Sequence, residues 1–134
     1  MEKIKIAIVG SRTFNDYEML KVFIGQTFEN ESELFQGKEV EVISGGARGA
    51  DKLGEQFAKE KGYELTVFKA EWDKYGKSAG FRRNVDIIKN CDICFAFWDG
   101  ESHGTQHDIQ LCEEYNKRCF ICRFDLASYH SKKK

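Results

Sequence analysis

Polar and apolar positions along this chain fall into two alternating kinds of run. Five runs are short, nearly all apolar, and rich in β-branched or aromatic residues: 4–9, 40–43, 65–68, 93–97 and 119–122. Apolarity at almost every position is what a strand needs when both of its faces are covered, as in a parallel sheet. Between these runs the apolar residues return with a helical period. Leu20, Phe23, Ile24 and Phe28 share one face of a first helix, and Asn15 or Asp16 is placed to cap its start. Leu53, Phe57 and Ala58 line a second helix that Gly62 would stop. Phe81, Val85 and Ile88 recur at i, i+4 and i+7 in a third. A fourth starts near Thr105 and turns Ile109 and Cys112 inward, with Leu111 and Tyr115 as neighbours. The stretch 26–38 is expected to hold a helix end and a loop.

Strand and helix therefore alternate as βαβαβαβαβ. Parallel strands require crossovers and crossovers are right-handed, so the pattern predicts an α/β fold: a three-layer, Rossmann-like, doubly wound parallel sheet of about five strands in the order 3-2-1-4-5. Ligands in such sheets sit at the C-terminal strand ends, beside the point where strand order reverses. Here that point lies between the first and fourth strands.

A length of 134 residues suits one domain, and 41 % hydrophobic with 32 % charged residues supplies a real core and excludes disorder. Eleven phenylalanines make part of that core aromatic. The domain is expected over 1–124, with 125–134 as a flexible basic tail ending in three lysines. No signal-peptide pattern and no bilayer-length apolar run is present, so a cytoplasmic protein without membrane contact is expected. Five cysteines without an export signal read as reduced thiols. The net charge is -1. That lacks the basic excess of a protein relying on nucleic-acid phosphates, so nucleic acid is not the expected partner.

Four loops on the predicted rim carry chemistry. Ser44-Gly45-Gly46-Ala47-Arg48-Gly49-Ala50-Asp51 follows a strand and opens a helix. Its glycines let backbone N–H groups approach an anion at a helix N-terminus, Arg48 can add a bidentate phosphate contact, and Asp51 can cap the helix or accept from a ribose hydroxyl. It is no P-loop, lacking the Gly-Lys-Ser/Thr ending. Gly10-Ser11-Arg12-Thr13 follows the first strand and offers two hydroxyls and a guanidinium. Trp98-Asp99-Gly100-Glu101-Ser102-His103-Gly104-Thr105 follows the fourth, and Gly104-Thr105 repeats the helix-start logic beside Asp99, Glu101, His107 and Asp108. Ala79-Gly80-Phe81-Arg82-Arg83-Asn84 opens the third helix. Adjacent helical residues point about 100° apart, so Arg83-Asn84 can face the site while Arg82 is solvated. Trp72 and Tyr75 either stack on a base or cover the core. Each loop also admits a plain structural reading as a tight turn with solvated charges.

Cys91-x-x-Cys94 and Cys119-x-x-Cys122 superficially spell zinc half-sites, but residues i and i+3 on a strand point to opposite faces. No metal site is expected from them.

Together these segments resemble the SLOG superfamily of Rossmann-like proteins, closest to its YspA-like, cpYpsA-related branch. The resemblance rests on 8–14, 44–51, Glu71-Trp72 with Tyr75-Gly76-Lys77, Ala79-Gly80 with Arg83-Asn84, and Phe97-Trp98-Asp99-Gly100 with Ser102 and Gly104-Thr105. It implies a nucleotide-related ligand. The superfamily also contains the LOG phosphoribohydrolases, which cleave the N-glycosidic bond of nucleoside monophosphates. In that register Arg83 falls on their catalytic arginine and Gly104-Thr105 on their Gly-Thr. Trp98-Asp99-Gly100 replaces their Pro-Gly-Gly, and His107, followed by Asp108, stands where they carry glutamate.

The leading expectation is a module that senses, carries or sequesters a phosphate-bearing nucleotide derivative, ADP-ribose-like or NAD-derived, with no required cofactor. Its ligand would be held by Gly10, Ser11, Arg12, Thr13, Ser44, Gly45, Gly46, Ala47, Arg48, Gly49, Asp51, Trp72, Arg83, Asn84, Gly104 and Thr105. The alternative is an N-glycosidic hydrolase in which Arg83 orients substrate and Asp99, Glu101 or Asp108 stabilises the sugar cation. Single-stranded DNA binding is the third reading, and a homodimer is compatible with the helix faces.

Overall fold

The computed structural model describes residues 2–125. The expected basic tail lies outside them, Asp125 excepted. Five strands, β1 (Lys3–Gly10), β2 (Glu39–Ser44), β3 (Glu64–Val67), β4 (Ile93–Trp98) and β5 (Arg118–Arg123), form one parallel sheet in the order β3-β2-β1-β4-β5. This is the doubly wound α/β arrangement that the alternation of runs requires, with β1 and β4 adjacent at the reversal. The helices are α1 (Tyr17–Asn30), α2 (Ser32–Phe35), α3 (Ala50–Lys61), α4 (Trp72–Tyr75), α5 (Ala79–Asn90) and α6 (His103–Glu114), with a 3-10 turn at Gly76–Ser78.

Alternate strand residues feed two cores. One joins Ile4, Ile6, Ile8, Phe95 and Phe97 to Leu20, Ile24 and Phe57 of α1 and α3. The other joins Ala7, Val9, Cys94 and Ala96 to Ile87, Ile88, Leu111 and Cys112 of α5 and α6. The three central strands are buried almost throughout, whereas β3 buries only part of alternate residues because it is a sheet edge. Asp16 caps α1, its carboxylate accepting from the Met19 N–H at 3.0 Å. Gly62 ends α3 at φ 72°, the left-handed stop that glycine adopts without a Cβ penalty.

Three details differ from the reading of the chain. The stretch 26–38 contains the extra turn α2, and 72–78 contains α4 and the 3-10 turn; both are too short to display a period. Phe81 is 59 % exposed. The buried stripe of α5 runs through Asn84, Ile87 and Ile88, and Phe81 instead lies flat on His107 of α6 with ring centroids 4.1 Å apart. Among the described residues, no helix is long and apolar enough to cross a membrane.

Candidate functional site

Glycines bring three loops together at the C-terminal rim. A Cβ on Gly10 would lie 2.4 Å from the Phe97 carbonyl oxygen, and one on Gly49, at φ +82°, would lie 2.5 Å from that of Ser11. Both positions therefore serve chain-to-chain approach. The loops are then tied by hydrogen bonds. Ser11 N–H donates to Phe97 O at 2.9 Å, Ala50 N–H donates to Ser11 O at 3.3 Å, and Asp99 N–H donates to Ser11 Oγ at 3.2 Å. Ser44 is buried beneath the second loop, where its hydroxyl donates to Glu55 and accepts from Gly46 N–H at 3.1 Å.

Arg83 reaches across from α5 and donates through Nη1 to Gly45 O at 2.9 Å and through Nε to Asn84 Oδ1 at 3.3 Å. Asn84 in turn donates to His107 Nδ1 at 3.1 Å. That assignment puts the imidazole proton on Nε2, which is buried without a protein partner, and burial holds the His107 pKa below its ordinary value.

Two carboxylates flank this arginine. Asp51 accepts from Ala47 N–H at 3.2 Å; burial pushes its pKa up to about 6, against the pull of that N–H and the Arg83 charge. Asp108 is 5 % exposed, and its Oδ1 has no hydrogen-bond partner. Burial drives its pKa well above the usual range, the Asp51 carboxylate adds to the rise, and Arg83 opposes it. Asp99 behaves oppositely. Partial burial pushes its carboxyl up, but the Glu101 and Ser102 N–H groups, each 2.8 Å from Oδ1, hold it below its ordinary value.

These groups border three adjoining hollows. One of about 370 Å³ lies over the strand-order reversal, between the first loop and α6. Gly10, Ser11, Arg12, Thr13, Ala47, Asp51, Arg83, Asn84, Asp99, Gly104, Thr105 and Asp108 all border it. A second of about 360 Å³ is bordered by Gly45, Gly46, Arg48, Trp72 and Lys69, again with Arg12, Ala47 and Arg83. A third of about 870 Å³ runs past Lys69, Tyr75, Phe81, Arg82 and Arg83. Arg83 thus borders all three. Of the residues expected at the site, Ser44 and Gly49 support the loops from within, and Glu101 is exposed and borders none of these hollows.

Lys69, the exposed face of Phe81 and the place of Arg82 beside a hollow were not anticipated. Lys69 directly follows β3, so asking what succeeds every strand would have found it. Phe81 was hidden by its fit to a helical core period.

Comparison with known proteins places these features in context. The model of the YspA, cpYpsA-related SLOG family matches residues 4–75. The Gene 61 protein of Mycobacterium phage D29 is 39 % identical over 79 residues, covering 54 % of this chain and 63 % of that protein. The chain thus aligns with less than two thirds of that relative's length. DNA processing protein A from Helicobacter pylori, solved for its single-stranded DNA binding mode, superposes with a TM-score of 0.65 at 16 % identity, over 98 % of this chain and 73 % of that one. This likeness overturns two expectations: that a small nucleotide derivative is the ligand, and that nucleic acid is no partner. Net charge misled because it averages over the whole surface. Arg12, Arg48, Lys69, Arg82 and Arg83 border the rim hollows, interspersed with Asp51, Glu71, Asp86, Asp99 and Asp108.

Proposed function

This chain belongs to the YspA, cpYpsA-related SLOG family, and from that premise we propose that it binds single-stranded DNA along the C-terminal rim of its sheet. The observation that carries the reading is the meeting of three hollows at Arg83, with cations and exposed aromatic faces interleaved along them. Arg12, Arg48, Lys69 and Arg82 supply the charges that follow a phosphate backbone. Trp72, 52 % exposed, and Tyr75 and Phe81, which border the adjoining hollow, supply flat surfaces for unpaired bases. A cationic groove paired with stacking platforms is the physical requirement for holding a single strand, because every base has a π-face whatever its sequence. A duplex hides those faces in its own stack. The likeness to a single-stranded DNA binding protein supports the same reading.

On this reading a backbone phosphate meets Arg12 and Arg48, and one nucleotide enters the hollow between the first loop and α6. Asp108, with Oδ1 unpartnered, accepts there from an amino or hydroxyl group. Fluorescence anisotropy with labelled oligothymidylate across a sodium chloride series tests the proposal. The logarithm of the binding constant should fall linearly with that of salt, by about 0.7 per phosphate contacted. Unlabelled single strand should compete, and duplex of equal length should not. Binding indifferent to salt, or displaced equally well by a nucleoside monophosphate, would exclude a strand as the ligand.

A further inference from the structure

Three cysteines from three separate elements meet beneath α6. Cys94 and Cys119 are partner positions on the paired parallel strands β4 and β5, so their side chains leave the same face of the sheet. Helix α6 packs on that face and brings Cys112 against both. The three Sγ atoms all lie within 4.8 Å of one another. Cys94 and Cys112 are buried, while Cys119 on the edge strand is partly open and provides the way in. Neither Cys-x-x-Cys segment encodes this trio, which takes one cysteine from each and the third from a helix.

We propose that Cys94, Cys112 and Cys119 form a three-thiolate site for a trivalent, three-coordinate thiophilic ion of the arsenite class. Two properties of the place select that class. Among the described residues no histidine or carboxylate joins the trio, so it offers three sulfur ligands. Zinc takes four ligands in structural sites and would need another donor. The second property is charge. The trio sits in an apolar cluster with Ala7, Val9, Ile88 and Leu111, where net charge is costly. Three thiolates around a monovalent or divalent ion leave the complex anionic, whereas a trivalent ion leaves it neutral.

The reaction with arsenite balances without a redox partner. Three As–O bonds break and three As–S bonds form, and each hydroxyl leaves as water with the proton of one thiol. Arsenic stays trivalent. Cys119 attacks first, being the most open of the three. Occupancy then ties α6 to β4 and β5. Thr105 and Asp108 stand on that same helix and border the rim hollow, so the ion would stiffen one wall of it.

Native mass spectrometry of the full chain with sodium arsenite tests this. One arsenic should be gained and three hydrogens lost, and the melting temperature should rise with arsenite concentration, as for any ligand of the folded state. Arsenic-edge X-ray absorption on the unaltered protein should report three sulfur neighbours and no oxygen, which needs no variant that might misfold. Cys112→Ser and Cys119→Ser should each abolish the three-sulfur species, and Cys122→Ser should retain it. No mass gain, a mixed sulfur and oxygen shell, persistence in Cys112→Ser, or displacement by equimolar zinc would each overturn the proposal.

Discussion

The two faces of the sheet are made from alternate residues of the same strands, yet they are built for different work. On the α1 and α3 side β4 presents Phe95 and Phe97, and rings interlock around them: Phe14 stacks on Phe97 at 4.9 Å, and Phe23 meets Phe95 edge-on at 6.2 Å. On the α5 and α6 side the same strand presents Cys94 and Ala96, and β1 presents Ala7 and Val9. Small residues leave depth there for polar groups, and α5 and α6 carry Asn84, His107 and Asp108 inward. One face concentrates apolar area and dispersion contacts. The other gives up some of that area to hold ionisable groups beside the reversal in strand order. A two-residue period thus separates stability from chemistry within a single strand.

The sharpest way to break this contrast is to truncate neighbours on β4. Phe95→Ala should cost about 3–5 kcal/mol, through lost transfer energy and the cavity left behind. Cys94→Ala, equally buried, should cost about 1 kcal/mol because it removes a single heavy atom. Urea denaturation should show the difference as a shift in midpoint with little change in slope. Equal costs would erase the distinction between the faces.

Acidity is the next lever. The Asp51 carboxyl is pushed up to about 6 from its ordinary 3.8. The folded state therefore holds this proton more tightly than the unfolded chain does. Stability is greatest when both states are protonated and falls as pH rises from about 4 through 6, by up to about 3 kcal/mol. Asp108 acts in the same direction. Urea unfolding at acid and neutral pH should show the fall in the unaltered protein and a smaller fall in Asp51→Asn, where Asp108 keeps its own share. A pH-independent midpoint would mean that water reaches these carboxylates freely.

Rim substitutions should leave stability intact and act on binding. Trp72→Ala should weaken oligothymidylate binding by about 1–3 kcal/mol if the indole carries a base. Arg12→Ala should weaken it about tenfold at low salt and reduce the salt slope by about 0.7, as expected for one lost phosphate contact. Unaltered anisotropy titrations in both variants would move the binding surface away from this rim.

Much of this was readable along the chain. Each strand is a short apolar run, each long helix has a periodic face, and the alternation of the two implies the order β3-β2-β1-β4-β5. The loops at 10–13, 44–51 and 98–105 were identifiable because position after a strand determines which rim a loop joins. Phe81 was misassigned to the core because a period states that residues share a face, not which face is buried. Net charge concealed the cations gathered along the hollows for a related reason: a sum carries no positions.

What the residues determined alone are the quantities set within a turn or a strand: period, caps, glycine stops and hence the alternation of elements. Tertiary structure decided the rest, because it depends on elements far apart in sequence. Asp51 raises the proton affinity of Asp108 only when α3 and α6 converge on Arg83. Cys94, Cys112 and Cys119 become one group only when β5 pairs with β4 beneath α6. Backbone sterics act over a few residues, whereas burial and charge act across space.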